Sequence, residues 1–298
     1  MPPSIFAGHD NLLLPTLSPD HFTTFTRIAL QQPRILAFIM EMDSPLFIHY
    51  NENRFFIYTI DTIQIKEEMS MKRSLINKVI KDMEDLLSEE RYRLPPFGYW
   101  TPQDWQSKGH DYDEIRDNML GWDVTDGGLG RFYEEGFVLF TIRNGNQLRS
   151  DEYPKQYAEK FLMMYPGQKF PMHYHIFKTE DIINRGSNPF NLRLYNGTPD
   201  RQLMDTDVIV SCDGHRMTLP AGSVVTLNPG ESITITPYLF HRFEVPQDAG
   251  GMILLGEVSR CNDDNNDNFF YDEIGRFPKI DEDEAPYRLL CNEYPAAP

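Results

Sequence analysis

From residue 136 to residue 258, short runs of apolar residues alternate with polar ones, and turn-forming residues separate the runs. Side chains that alternate in this way lie on opposite faces of a β-strand. We predict strands over residues 136–143, 160–165, 171–177, 192–195, 208–212, 215–219, 223–227, 232–236, 240–245 and 252–258. Many short strands at this spacing predict a β-sandwich or β-barrel.

The dipeptides between these runs predict which strands are neighbours. Asn144-Gly145 is typical of a hairpin turn, and Asp213-Gly214 lies between residues 208–212 and 215–219. Pro229-Gly230 separates residues 223–227 from 232–236. We expect these last two strands to pair across that turn.

One segment before the strands has a helical period. From Ser74 the apolar positions recur every three or four residues, and Pro95-Pro96 ends the pattern. The predicted apolar face contains Leu75, Ile76, Val79, Ile80, Met83, Leu86 and Leu87. The aromatic stretch 97–105 that follows either stacks on a sugar or packs this helix against the barrel.

Residues 1–70 show no sustained period and contain several prolines. Two interpretations are open. The segment is a genuine N-terminal extension, or translation begins at Met71 and the start is misassigned. The second is favoured because Lys66-Glu67-Glu68 can be encoded by a purine run of the kind that precedes a bacterial start codon. The predicted domain therefore spans residues 71–298.

Composition excludes several classes of protein. The net charge of −17 argues against a nucleic-acid partner and against an anionic membrane surface. Three cysteines without a Cys-x-x-Cys pair form neither a disulfide framework nor a zinc ribbon. The sequence shows no signal-peptide pattern, and its apolar runs are too short to span a membrane. We expect a cytoplasmic protein.

Four residues form a candidate metal site. His173 and His175 are two apart, so in a strand they share one face, and Glu180 follows closely. His241 comes after the Pro229-Gly230 turn and is the fourth candidate ligand. Three histidines and one carboxylate leave coordination positions open for a substrate. The alternative is that these histidines are structural.

The stretch Gly167 to Gly186 and the later His241 resemble the two signature motifs of the cupin superfamily. The run His173 to Gly186 is similar to the D-lyxose isomerase family of cupins. So are residues 256–259, 262–264, 267–268, 275–278, 282–286 and 289–292. The likeness covers about residues 71–295. One departure is that Pro237 to His241 lacks the glycine of the general cupin motif, so the turn before His241 is expected to be built differently.

This resemblance implies a mainly β protein, a cupin-type β-barrel (jelly roll) with the N-terminal helical segment packed outside. It implies a metal-dependent isomerase that interconverts D-lyxose and D-xylulose, and D-mannose and D-fructose more slowly. The expected ion is Mn²⁺, although imidazole and carboxylate ligands also suit Co²⁺, Zn²⁺, Fe²⁺ and Ni²⁺. A homodimer is expected.

Candidate acid–base residues lie near the ligands. Lys178 shares the face of Glu180 in an extended chain, and the alternative is a surface cation. Glu257 interrupts an apolar strand, where a carboxylate is costly unless it is paired or functional; if it faces outward it is merely solvated. Asp267, Asp272 and Glu273 follow on an acidic loop that can close over the site. Arg276 is a candidate for holding a substrate hydroxyl.

Three functions remain open from the residues alone. An aldose–ketose isomerase agrees with the resemblance and with an open metal site. An oxygenase using Fe²⁺ has the same ligand set. A sugar-binding cupin without catalysis is the third, although retention of all four ligands argues against it.

Overall fold

A computed structural model describes residues 25–28, 37–40, 46–51, 54–59, 70–263, 266–272 and 277–298, with side chains from residue 70 onward. The chain divides into two compact units, residues 1–67 and 68–298. In the first, an antiparallel sheet joins β1 to β4 in sequence order. These strands are β1 (Phe25–Ile28), β2 (Ala37–Met40), β3 (Leu46–Asn51) and β4 (Arg54–Thr59). Whether translation begins at Met71 stays a prediction.

The second unit begins with β5 (Ser70–Lys72) and then helices α1 (Arg73–Glu89), α2 (Pro102–Trp105) and α3 (Asp113–Asp117). Single 3₁₀ turns occur at Pro96–Tyr99 and His110–Tyr112. Strands follow as β6 (Gly121–Thr125), β7 (Phe137–Arg143), β8 (Tyr157–Met164), β9 (His173–His175), β10 (Glu180–Asn184), β11 (Phe190–Gly197), β12 (Leu203–Met204) and β13 (Val208–Cys212). The remainder are β14 (His215–Leu219), β15 (Val224–Leu227), β16 (Ser232–Ile235), β17 (Leu239–Glu244), β18 (Ile253–Arg260), β19 (Asn268–Phe270) and β20 (Lys279–Asp281).

Two antiparallel sheets form the barrel. The larger has the order β14-β13-β16-β10-β18-β8-β7-β6, and the smaller has the order β12-β11-β17-β9-β19 with β15 paired to β11. Their inner faces share one apolar core, to which Leu162 and Leu255 contribute from the larger sheet and Leu192 and Phe243 from the smaller. The predicted mainly β, cupin-type architecture is confirmed.

The larger sheet is also buried on its outer face. Because side chains alternate along β7 and β8, Phe140 and Phe161 point away from the barrel core. They pack against α1 through Ile76, Val79 and Met83. The helix therefore lies outside the barrel, as predicted, and ends at Glu89, before Pro95.

Phe97 and Trp105 of the aromatic stretch after α1 pack within the protein, as one of the two interpretations predicts. Phe97 stacks on Phe140 with ring centroids 5.3 Å apart, and Trp105 stacks on Tyr294. Trp105 is almost completely buried. These contacts fasten the helical segment to the sheet.

One predicted pairing is wrong. Pro229 and Gly230 do form a tight turn, with Gly230 at φ +89° and the Glu231 N–H donating to the Asn228 carbonyl at 3.0 Å. The flanking strands nevertheless enter different sheets, because β15 pairs with β11 while β16 pairs with β10 and β13. The Asp213-Gly214 hairpin joins β13 and β14 as expected. Asn144-Gly145 opens a longer connection between β7 and β8.

The C-terminal segment is fastened to the start of α1. β20 pairs in parallel with β5, and the buried Arg73 guanidinium forms ion pairs with Glu282 and Glu293. Its Nε donates to Glu282 Oε2 at 2.8 Å. In the part of the chain that the structure describes, no helix is long and apolar enough to cross a membrane.

A chain shortened to begin at Met71 is expected to fold and to keep the candidate metal site, because both apolar cores lie within residues 68–298. Thermal unfolding followed by circular dichroism and metal analysis would check this. The matched control begins at Leu94 and also lacks α1. It should fail to fold, since the outer face of the larger sheet loses its cover. Loss of folding in the first variant would contradict the prediction.

Candidate metal centre and active site

The smaller sheet brings three histidines together. His173 and His175 leave one face of β9, and His241 on β17 lies directly opposite His173 in the antiparallel pair. All three side chains are buried, and their ligand nitrogens lie within 4.8 Å of one another. Imidazole is a common ligand of transition metals. This triad can hold a metal ion.

Backbone carbonyls orient two of the rings. His173 Nδ1 donates to the Pro171 carbonyl and His241 Nδ1 donates to the Leu239 carbonyl, each at 3.0 Å. A carbonyl oxygen can only accept, so the Nε2 atoms of these rings carry the free lone pairs. Burial lowers the pKa of His173 well below its usual value. The His173 ring is therefore neutral, which is the form of imidazole that binds a metal.

Glu180, the first residue of β10, lies against the triad. Its Oε1 lies 3.0 Å from His241 Nε2 and 3.4 Å from His175 Nε2. Neither contact has hydrogen-bond alignment, and among the described residues those two nitrogens have no hydrogen-bond partner. A lone pair facing a carboxylate oxygen at this distance is repulsive, and a cation between them would bind both. The donor set fits a divalent ion.

The turn before His241 is built without the expected glycine. Tyr238 adopts the left-handed conformation there, with φ +61°. Such a conformation is uncommon for a large residue and costs about 1–3 kcal/mol. Its N–H donates to the His175 carbonyl at 2.8 Å, and its own carbonyl accepts from the Gly197 N–H at 2.7 Å. The first bond ties the turn before His241 to β9, which carries His175, and the second ties it to β11.

Lys178 is buried behind the carboxylate and is not a surface cation. Its Nζ lies 2.7 Å from Glu180 Oε2 and 3.0 Å from Glu257 Oε1. Burial disfavours the ammonium, but the charges of Glu180 and Glu257 outweigh that effect and raise the pKa of Lys178. The lysine is therefore charged and links the two carboxylates. Its catalytic role stays a prediction.

Glu257 on β18 faces inward and is buried. Its carboxylate accepts from Ser259 Oγ at 2.9 Å and contacts the ammonium groups of Lys178 and Lys160. Burial favours the neutral acid, yet the charges of Lys160 and Lys178 outweigh it and lower the pKa of Glu257. The group is an anion at neutral pH. The outward-facing alternative is wrong.

Asp267 has a structural contact with the turn that carries Lys178. Its buried carboxylate accepts from the backbone N–H groups of Phe177 at 2.6 Å and Lys178 at 3.1 Å. It thereby fixes the backbone immediately before Glu180. The acidic loop after β18 thus reaches the site through this residue.

Of the other candidates on that loop, the structure describes only Asp272. Asp272 follows β19 in an exposed position and does not line the cavity beside the three histidines. Glu273 and Arg276 lie outside the described residues. A role for Asp272, Glu273 or Arg276 stays a prediction.

A cavity of about 350 Å³ adjoins the triad and is lined by His173, His175, Lys178, Glu180 and Glu257. Two further polar residues of its wall, Lys160 and Asn262, were missed by sequence reasoning. The alternation along β8 could have identified Lys160, because it lies on the same face as the inward-facing Ala158, Leu162 and Met164. A lysine at an inward position of an apolar strand needs a buried partner.

Comparison with known proteins identifies the family to which this chain belongs. The family model for D-lyxose isomerase matches residues 71–294. The chain belongs to the D-lyxose isomerase family. That family consists of aldose–ketose isomerases, so the chain is an enzyme of this class, as the sequence resemblance implied.

Two curated members of the family are similar over most of this chain. The D-lyxose/D-mannose isomerase of Escherichia coli O157:H7 is 43% identical over 226 residues, which are 75% of this chain and 98% of that protein. The protein of the same name from Serratia proteamaculans is 42% identical over 225 residues, with the same coverage. Among solved structures, the L-ribose isomerase of Cellulomonas parahominis covers 72% of this chain and all of its own, with a TM-score of 0.46 and 18% identity.

Alanine at His173, His175, Glu180 or His241 is expected to lower the metal content of the purified protein sharply. Loss of a group that merely hydrogen-bonds to a ligand typically weakens metal binding by about 10–100-fold, and loss of a ligand should cost at least as much. Metal analysis of each variant after dialysis checks this. His215→Ala, which removes an exposed histidine of β14, is the control. A His241→Ala variant with the original metal content would show that the fourth ligand is misassigned.

Proposed function

We propose that this protein uses a divalent metal ion to interconvert D-lyxose and D-xylulose, with D-mannose and D-fructose as a slower pair. The observation that carries the proposal is the buried Lys178 ammonium, which joins Glu180 beside the histidine triad to Glu257 in the same cavity. The names of the two similar bacterial proteins support the choice of sugars. Acid–base groups and metal ligands lie together, as aldose–ketose isomerisation requires.

His173, His175, Glu180 and His241 are the residues that would hold the ion. A bound divalent cation supplies Lewis acidity, which polarises the carbonyl and neighbouring hydroxyl oxygens of an open-chain sugar. Mn²⁺ is the ion we expect, and Co²⁺, Zn²⁺, Fe²⁺ and Ni²⁺ are compatible with the same ligands.

Glu257 is the group we assign to proton transfer. As a buried anion it can take the proton from C2 of the aldose and return it to C1. The hydroxyl proton on O2 passes to O1 in the same conversion, which gives the ketose through an enediol. Lys178 lies 3.0 Å from this carboxylate and has N–H groups to donate to the oxygen on which negative charge develops. Proton transfer and charge stabilisation are thus divided between two adjacent side chains.

An apolar wall borders the same cavity. Phe270 stacks on the His173 ring with centroids 5.4 Å apart, and Phe170 meets that ring edge-on at 4.9 Å. Phe243 lies beside His241 at 5.7 Å. Apolar side chains around the ligands limit water and strengthen the electrostatic interactions of the site.

The alternatives that the ligand set left open are less well supported. Neither an Fe²⁺ oxygenase nor a non-catalytic sugar-binding protein agrees with membership of an isomerase family. The homodimer and the cytoplasmic location stay predictions.

An assay over a panel of pentoses and hexoses is expected to show fastest conversion of D-lyxose and slower conversion of D-mannose. Activity should disappear after chelation and return with Mn²⁺ or Co²⁺. In D₂O, D-xylulose made from D-lyxose should carry deuterium at C1. The reason is that the proton taken from C2 can exchange with water while the base holds it. Conversion with oxygen uptake, or binding without conversion, would contradict the proposed function. Full retention of hydrogen would argue for a hydride shift.

Glu257→Gln is expected to keep the fold and the metal while kcat falls by about 10²–10⁴-fold, the usual contribution of general acid–base catalysis. The control is Glu159→Gln. That residue lies opposite Val258 in the pairing of β8 with β18, pairs with Arg143 near the surface and does not line the cavity. Steady-state kinetics and metal analysis compare the two. Full activity in Glu257→Gln would show that the base is misassigned.

A further inference from the structure

Lys160 is a second buried lysine in the cavity wall. It is the direct cross-strand partner of Glu257 in the antiparallel pair of β8 and β18. Its Nζ lies 3.2 Å from Glu257 Oε1 and 3.4 Å from Oε2, and its side chain is only 7% exposed. Because the register of two central strands sets this contact, the lysine approaches the carboxylate from a fixed direction.

The other side of the Lys160 ammonium is fixed as well. Nζ donates to Asn262 Oδ1 at 2.9 Å. Asn144 holds the backbone of Asn262: its Oδ1 accepts from the Asn262 N–H at 2.9 Å and its Nδ2 donates to the Asn262 carbonyl at 3.2 Å. Lys160 is therefore held between the side-chain amide of Asn262 and the carboxylate of Glu257.

Lys160 gives Glu257 a cationic partner of its own. Lys178 is shared between Glu180 and Glu257 at 2.7 and 3.0 Å. Its ammonium has three N–H groups, so these two contacts leave one for a sugar oxygen. With Lys160 beside it, the buried Glu257 carboxylate does not depend on Lys178 alone for a partner of opposite charge.

We propose that Lys160 is a positioning residue that fixes the orientation of the Glu257 carboxylate and compensates its charge, so that Lys178 is free to donate to the substrate. This proposal rests on the assignment of Glu257 as the proton-transfer group. Lys160 acts through Glu257 and is not assigned a contact with the reacting carbons.

The charged groups around Glu257 predict the direction in which its pKa changes when Lys160 is removed. Lys160 on β8 and Lys178 before β10 lower the pKa of Glu257, and Glu180 on β10 raises it. Removing Lys160 therefore raises the pKa of Glu257. Since Glu257 must be an anion to accept a proton, activity on the acid side of the pH profile should be lost at a higher pH.

The test compares Lys160→Met with Lys160→Arg, using Glu159→Gln on the opposite face of β8 as control. Lys160→Met should keep its metal content, lose about 10–100-fold in kcat at neutral pH, which is part of the usual acid–base contribution, and show little change in KM. The acid limb of its kcat profile should move upward by about one pH unit or more, a typical effect of losing a close charge. Lys160→Arg, which restores the charge, should return the limb toward its original position.

Two results would overturn the proposal. One is an unchanged kcat and pH profile in Lys160→Met. The other is a loss of kcat with an unshifted acid limb that arginine does not rescue, which is the behaviour of a merely structural residue. Should the methionine variant fail to fold, Lys160→Gln can still bond to Asn262 without the charge and carries the same expected shift.

The Glu257→Gln variant separates this proposal from the proposed function. Full activity in Glu257→Gln would show that the proton-transfer group is misassigned, whatever Lys160 does. An inactive Glu257→Gln beside a normal Lys160→Met would show that only the role of Lys160 is wrong.

Discussion

A continuous series of buried ion pairs runs from Lys160 through Glu257 and Lys178 to Glu180, and the active site depends on it. Taking a single charge out of water costs several kcal/mol. Each of these four groups is buried, and each lies within 3.2 Å of an opposite charge. Their mutual attraction offsets the desolvation, and it keeps Glu257, Lys178 and Glu180 ionised. The same arrangement places an anion, a cation and Glu180, the carboxylate that we propose as a metal ligand, along one wall of the cavity.

The barrel supplies the rigidity that these ion pairs require. Lys160 and Glu257 lie on neighbouring strands of the larger sheet, and Glu180 begins the strand on the other side of β18. The sheet carries apolar side chains on both faces, with the barrel core inside and α1 outside. Burial on both faces makes a shift in register costly, because a one-residue slip would exchange the two faces. The relative positions of the charged groups are therefore set by the packing of residues far from the chemistry.

Hydrogen bonds that involve the backbone, in addition to packing, hold the segments that carry the candidate metal ligands. The Tyr238 N–H bonds to the His175 carbonyl, and the Asp267 carboxylate bonds to two N–H groups of the turn that carries Lys178. Both contacts cross between segments distant in sequence. They fix turns next to the candidate metal ligands, where no regular strand pairing does so. A strained turn at Tyr238 in place of a glycine is tolerated because these bonds and the surrounding aromatic packing determine its conformation.

Local periodicity along the chain was enough to predict the α1 helix, most of the strands, and the placing of His173 and His175 on one face. The run of residues around these histidines also indicated the family. Tertiary structure decided the rest. A Pro-Gly turn shows that the chain reverses, but not which sheet edge each flanking strand joins, so the pairing of residues 223–227 with 232–236 was wrong. Lys160 was missed because its importance lies in its partner Glu257, 97 residues away, and the strand register that joins them is set by burial on both faces of the sheet.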